Sequence, residues 1–217
     1  MKFVAPALLA CLAVSSISMP LQAEEYRFTY SKLFTQLKNN NKPGHDAVKV
    51  GLFFVDARTQ KPCVITKAWM EKEQHYEELS SGYANELLVP IDNNLRQANP
   101  LVFIHTPEQQ QCDFSMVVMS KQPLEGSVSY EDVAQLLPQM EAMLADLGGL
   151  FSGWFTPEIT GLTLEFAPDQ QGDIQLSDGR RIAIEAGKAV IQLEDIGVGN
   201  SFQLPNKTLR VMPYIAK

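Results

Sequence analysis

The chain is poor in the residues that build catalytic and metal sites. Its 217 residues include only three His, three Cys and two Trp. It contains no Gly-x-Ser-x-Gly nucleophile motif, no phosphate-binding glycine loop and no Cys-x-x-Cys pair. Cations are also scarce, because 18 Lys and Arg stand against 25 Asp and Glu, which gives a net charge of -7. This balance argues against nucleic acid or an anionic membrane surface as a partner.

Long apolar runs are also missing. No internal run approaches the roughly 20 residues that a membrane-spanning helix needs, so we expect a protein that does not span the membrane. Residues 1–23 are typical of a signal peptide, with Lys2 at a positive end, an apolar segment and a small-residue cleavage site ending at Ala23. The mature chain is then predicted to start at Glu24. Lipid attachment at Cys11 is the disfavoured alternative, because the apolar segment before it is short and apolar sequence continues beyond it.

Cleavage of residues 1–23 leaves Cys63 and Cys112 in a compartment where thiols oxidise readily. Two cysteines in such a compartment predict one structural disulfide. In the chain-entropy model, closing a loop of about 50 residues stabilises the fold by roughly 4 kcal/mol.

Two helices are predicted from periodicity and capping. The first is short and is capped by Ser31, with an apolar face formed by Tyr30, Leu33, Phe34 and Leu37. The second begins with a capping box of Ser129 and Asp132 and carries a long apolar stripe. Pro138 is expected to kink this helix or to start a second helical piece.

The rest of the chain reads as strand. Short apolar segments separated by polar or Pro-containing turns predict strands at 48–55, 63–70, 86–91, 101–105 and 112–119, and alternation returns in the C-terminal third. The predicted fold is therefore mainly β with α segments (α+β), with antiparallel sheets or a β-sandwich-like arrangement. The predicted units are a disulfide-containing β-rich unit at 24–128, and a helix followed by a β-rich unit at 129–217.

A diverged duplication into two similar helix-plus-sheet halves is one interpretation of this order. In each half, a helix led by Tyr precedes a series of strands, and each series ends in a Pro-containing segment. On this interpretation segment 99–104 corresponds to segment 209–215.

The motif Leu95-Arg96-Gln97-Ala98-Asn99-Pro100, with the stretch from Cys63 to Glu78, resembles a bacterial family catalogued as domain of unknown function 2987. The resemblance runs roughly from Tyr26 to Met119. It implies an exported protein of Gram-negative bacteria, here periplasmic, and it carries over no catalytic residue.

Four residues are candidates for binding. Arg96 could hold a carboxylate or phosphate in bidentate fashion, with Asn99 beside it on the same loop, although a structural salt bridge is the favoured role for Arg96. Trp154 and Phe155 lie in the densest aromatic stretch, which is expected to be buried at the junction of the halves, with an exposed docking patch as the alternative.

Other candidates are weaker. Trp69 is expected in the core. A zinc site built from His45, His75 and His105 lacks any ligand spacing, and adjacent carboxylates such as Glu77 and Glu78 read as a solvated face. We therefore predict no metal and no cofactor.

The functional hypothesis is a non-catalytic binding or accessory module of the cell envelope, with an envelope protein, a glycan or a small ligand as its partner. The alternative is an envelope hydrolase that uses carboxylates or a histidine-bound metal.

Overall fold

The computed structural model describes residues 24–108, 110–148 and 158–215. Strand is more abundant than helix, at 41% against 24%. Every pairing between strands in these ranges is antiparallel, which confirms the predicted mainly β, α+β class. In the same ranges, no helix has the length and apolar character needed to cross a membrane.

The strands of the described ranges are β1 (Glu24–Thr29), β2 (Val48–Asp56), β3 (Lys67–Lys72), β4 (His75–Glu78), β5 (Leu101–Thr106), β6 (Cys112–Ser120), β7 (Ser127–Ser129), β8 (Ile159–Glu165), β9 (Asp173–Leu176), β10 (Arg181–Ala183), β11 (Lys188–Gln192), β12 (Ser201–Gln203) and β13 (Arg210–Ile215). The helices of the same ranges are α1 (Tyr30–Leu37), α2 (Asn93–Ala98), α3 (Tyr130–Gly148) and α4 (Leu193–Ile196), with 3-10 turns at Lys38–Asn41 and Tyr83–Asn85.

The first half runs from β1 to β6 and holds two sheets, one ordered β1-β5-β3-β4 and the other β2-β6. Both sheets and α1 contribute side chains to one core. Period-two alternation sends Ala68 and Met70 of β3, and Val102 and Ile104 of β5, into that core. The helix adds the four-residue face predicted from its spacing, and all four of those side chains are buried.

The second half runs from β7 to β13, with sheets ordered β10-β9-β12-β7 and β11-β8-β13. Its core is formed around α3 and the inner faces of these strands. Val48, Val50 and Val118 of the first half belong to this same core. The two halves therefore share buried apolar surface, and β6 lies beside β13 where they meet.

The halves repeat one connectivity. Strands β1, β5, β3 and β4 correspond in sheet order to β7, β12, β9 and β10, and the pair β2-β6 corresponds to β8-β13. The hydrogen bonds that start the helices also correspond. Tyr30 at the start of α1 donates its N–H to the carbonyl of Pro100, and Tyr130 at the start of α3 donates to Asn200, both at 2.9 Å.

The strand-level correspondence differs from the one predicted. Segment 99–104 leads into β5, whose counterpart is β12, whereas segment 209–215 forms β13, whose counterpart is β6. Pairing these two segments with each other is therefore wrong. The register supports the corrected match, because Phe28 faces Val102 in one sheet and Val128 faces Phe202 in the other.

Two predicted strands are shorter than expected or missing. Strand β3 begins at Lys67 rather than Cys63. Segment 86–91 forms no strand, and Leu87 makes only isolated bridges, one to Leu52 of β2 and one to Ser81. The bridge to Leu52 occupies the position at which β11 pairs with β8 in the second half. The first half therefore has the same chain arrangement there, with an isolated bridge in place of a regular strand pair.

Of the two predicted helix starts, the one of α3 is confirmed and the cap predicted for α1 is wrong. The capping box of Ser129 and Asp132 is present in α3, where the Ser129 N–H donates to the Asp132 carboxylate at 2.9 Å. In α1 the N-cap is Thr29, so Ser31 is not the cap and lies inside the first turn. Pro138 lies inside α3, which continues through it as one helix instead of restarting there.

The predicted disulfide joins Cys63 to Cys112, and both residues are buried. It ties the segment before β3 to the start of β6. Tyr26 of β1 packs against this point, where its hydroxyl donates to the Cys112 carbonyl. Loss of water around the ring, and then the neighbouring Glu24 carboxylate, raise the pKa of Tyr26 to about 12.

We expect the double substitution Cys63→Ser and Cys112→Ser to lower the free energy of unfolding by about 2–4 kcal/mol, because the unfolded chain regains the entropy of an open loop. Urea denaturation followed by far-UV circular dichroism measures the change. Reductant present during the titration should shift the wild type towards the variant and leave the variant unchanged. Equal midpoints for the oxidised wild type and the variant would contradict a stabilising role.

Candidate functional site

The outer face of the sheet β1-β5-β3-β4 carries a row of stacked side chains. Arg27 of β1, Phe103 of β5 and Trp69 of β3 occupy directly facing register positions, and Tyr76 of β4, which faces Glu71, lies diagonally beside Trp69. We call these four residues the aromatic row. The Trp69 and Phe103 rings are nearly parallel, with centroids 5.0 Å apart and planes at 7°. Tyr76 stacks on the other side of Trp69 at 6.4 Å, and the Arg27 guanidinium lies 5.0 Å from the Phe103 centroid.

Alternation along β3 produces this arrangement. Because Ala68 and Met70 point into the core, Lys67, Trp69 and Glu71 point outwards. The Lys67 ammonium lies 4.8 Å from the Trp69 ring centroid, within the range of a cation–π contact. The indole Nε1 of Trp69 donates to Glu71 Oε2 at 2.9 Å. These two contacts fix the position of the indole ring on the outer face of the sheet.

A charged group closes one end of the row. Glu25 accepts hydrogen bonds from Arg27 at 3.1 Å and lies 3.1 Å from the Nε2 of His105. The contact with His105, and then the one with Arg27, lower the pKa of the Glu25 carboxyl below its usual value. His105 in turn meets the Trp69 ring edge-on, with centroids 5.0 Å apart. Glu25 is therefore an ionised partner for the Arg27 guanidinium at the end of the row.

Among the three rings of the row, exposure rises from Phe103 through Trp69 to Tyr76 at the sheet edge. Phe103 is only 6% exposed, because Arg27 and Trp69 cover both of its faces. Trp69 is half-buried and belongs to neither core, so the prediction that it is a core residue is wrong. Tyr76 is 55% exposed. The accessible aromatic surface of the row is therefore concentrated at β4.

The equivalent face in the second half is polar. Strand register places Ser127, Gln203 and Gln175 in a line across β7, β12 and β9, as Arg27, Phe103 and Trp69 lie across β1, β5 and β3. Arg181 of β10 faces Gln175 and completes the line. The same sheet is thus built without aromatic side chains on this face. Stacked rings are therefore not a requirement of the fold.

A groove lies beside the row, between the β3-β4 hairpin and α2. It encloses about 340 Å³, and its apolar lining comes from Met70, Tyr76, Leu95, Ala98 and Pro100. Lys72 ties the hairpin to the helix, because its ammonium donates to the Ala98 carbonyl at 2.7 Å. The groove therefore has two fixed walls.

Arg96 and Asn99 both lie near this groove but serve different purposes. Asn99 has a left-handed backbone (φ 49°) that ends α2, and its Oδ1 accepts the N–H of Ser31 at 2.9 Å in the first turn of α1. Its side chain therefore links the end of α2 to the start of α1. Arg96 is exposed, and its guanidinium lies 5.5 Å from the centroid of the Phe34 ring.

The favoured salt bridge of Arg96 is not formed with any described residue. Its contact with Phe34 leaves the guanidinium open to solvent, so Arg96 stays a candidate contact residue. Trp154 and Phe155, and the predicted burial of their segment, lie outside the described residues.

The three histidines lie in separate places. His45 is buried, with Nδ1 2.9 Å from the Asn39 carbonyl and Nε2 3.3 Å from an Asp146 oxygen. His75 lines the groove, and His105 lies on the outer face. Across the described ranges, no three His, Cys, Asp or Glu side chains gather into a metal-binding group.

In the part of the chain that the structure describes, the fold and site define a mainly β protein of two halves, with aromatic side chains on the outer face of the sheet β1-β5-β3-β4. A family model described as Protein of unknown function (DUF2987) matches residues 22–166, which include the whole first half and the second half as far as β8. The protein belongs to this family. No curated protein and no solved structure matches the chain significantly.

We expect Asn99→Ala to lower the free energy of unfolding by about 1–2 kcal/mol, because alanine removes the acceptor of the Ser31 N–H in the first turn of α1 and resists the left-handed conformation. Asn99→Gly should cost less, since glycine adopts that conformation freely. Thermal and urea unfolding of the two variants measure the difference. Neutral behaviour of both variants would show that the side chain is free for another role.

Proposed function

We propose that the protein is exported to the periplasm and acts there as a non-catalytic binding or accessory module of the cell envelope. The leader composition and the disulfide support export. The intact mass of protein recovered from the envelope tests the predicted start at Glu24.

One observation carries the binding role. The two halves share a sheet connectivity, yet among the described residues only the first half has rings on its outer face. Aromatic and arginine side chains are the types that dominate binding energy at interfaces. A feature that the fold does not require, made of such residues and reaching solvent at Tyr76, is explained by contact with a partner.

The polar groups on this face favour binding over catalysis. Glu25 is engaged by Arg27 and His105, and Glu71 by the indole of Trp69. Each carboxylate therefore helps to fix the position of a ring or a cation, as a preorganised contact surface requires.

Capture of partners from an envelope extract by the tagged mature protein tests the proposal. Trp69→Gln installs the residue found at the equivalent position of the second half, and Tyr76→Ser removes the most exposed ring of the aromatic row. Each change should reduce capture of a specific partner by roughly tenfold or more, as for a hot-spot residue. The matched control Gln175→Ala, on the polar face, should leave capture unchanged.

Circular dichroism and the unfolding midpoint establish that each variant is folded before capture is compared. The same partner retained at wild-type level by folded Trp69→Gln and Tyr76→Ser variants would contradict the assignment of this face. Equal loss in Gln175→Ala would show that the capture is not specific to the aromatic row.

A further inference from the structure

Strand β4 leaves one edge of its sheet open. It is the last strand in the order β1-β5-β3-β4, and all four of its residues are exposed. The N–H of Leu79 donates to the Ala68 carbonyl at 2.9 Å, which fixes the alternation of the ladder. In that alternation the main-chain groups of Tyr76 and Glu78 point away from β3. They can hydrogen-bond to a further strand.

The apolar groove runs beneath this edge. Its walls are the hairpin, including Met70 and Glu77, and the helix α2, including Leu95 and Ala98. An added strand would present alternate side chains to its two faces. One set would enter the groove, and the other would lie beside the ring of Tyr76.

The edge is strongly acidic. The hairpin from Glu71 to Glu78 contains four glutamates and a single lysine, Lys72, whose ammonium is used at the Ala98 carbonyl. Glu73, Glu77 and Glu78 are exposed, and none of them forms an ion pair with another described residue. The corresponding hairpin in the second half differs, because Arg180 there pairs with Asp178.

We infer that the open edge of β4 binds an extended, basic peptide segment of a partner protein, which adds to the sheet as a fifth strand. This inference rests on the proposed binding function and names its partner class. The main-chain groups of Tyr76 and Glu78 select an extended polypeptide, because only a strand satisfies donors and acceptors at that spacing. The exposed glutamates select Lys and Arg in the peptide, and the groove selects apolar residues at alternate positions.

Selection from a library of random nine-residue peptides against the immobilised mature protein tests the inference. We expect enriched sequences in which basic residues accompany apolar residues at every second position. The best enriched peptide, made synthetically, should shift amide resonances of β3, β4 and α2. N-methylation of every second peptide residue should abolish binding when the methylated amides are those that face β4. N-methylation of the intervening residues should be tolerated, because their amides point away from β4.

The double substitution Glu77→Lys and Glu78→Lys should weaken this peptide at least roughly tenfold. Its matched control makes the same charge change at exposed Glu141 of α3 and Glu194 of α4, and should bind normally. Circular dichroism establishes that both variants are folded.

Several results would overturn the inference. They are a selection without enrichment, an acidic consensus, equal weakening by the two double variants, or binding that survives N-methylation whichever of the two alternate sets of residues is methylated. If capture from the envelope extract still depends on Trp69 and Tyr76 in that case, the proposed binding function stands. The partner class alone would then be wrong, with a glycan or a small ligand in its place.

Discussion

The two-residue period of the strands is the constraint on which this molecule depends. In β5 it sends Val102 and Ile104 into the core and leaves Phe103 and His105 outside, and β3 obeys the same rule. The fold constrains strictly only the inward-facing residues of the strands, since burial of apolar surface is the main favourable contribution to stability. The outward-facing residues can differ between equivalent sheets. Here they include stacked rings in the first half and polar side chains in the second half.

The junction of the halves gives the proposed binding face a rigid support. The second core includes Val48 and Val50 of β2, so β2 faces α3 as well as its own half. Charged groups reinforce the junction. Arg210 of β13 is paired with Glu165 of β8 in a buried ion pair, and its guanidinium lies 4.8 Å from the Phe53 ring centroid in β2. Sites on such packed strands hold their side chains more firmly than sites on loops.

Much of the fold could be predicted from local patterns, whereas the site could not. Alternation, capping and cysteine count predicted the α+β class, the α3 capping box and the disulfide, because each depends on neighbouring residues or on composition. Trp69 was misjudged because an apolar residue in a strand gives no sign of which face it occupies until its partners are known. The stack on Phe103 joins residues 34 positions apart, and no local pattern encodes that meeting. The duplicated order was visible, but the matching of strands required the hydrogen-bond ladders.

The central claim is that one of two equivalent sheets has become a contact surface. Hydrogen–deuterium exchange of the mature protein, alone and with its envelope extract, tests this claim most directly because it follows both sheets at once. The account predicts added protection in β3 and β4, with the equivalent strands β9 and β10 unchanged. Protection confined to β9 and β10, or equal protection of both hairpins, would contradict it.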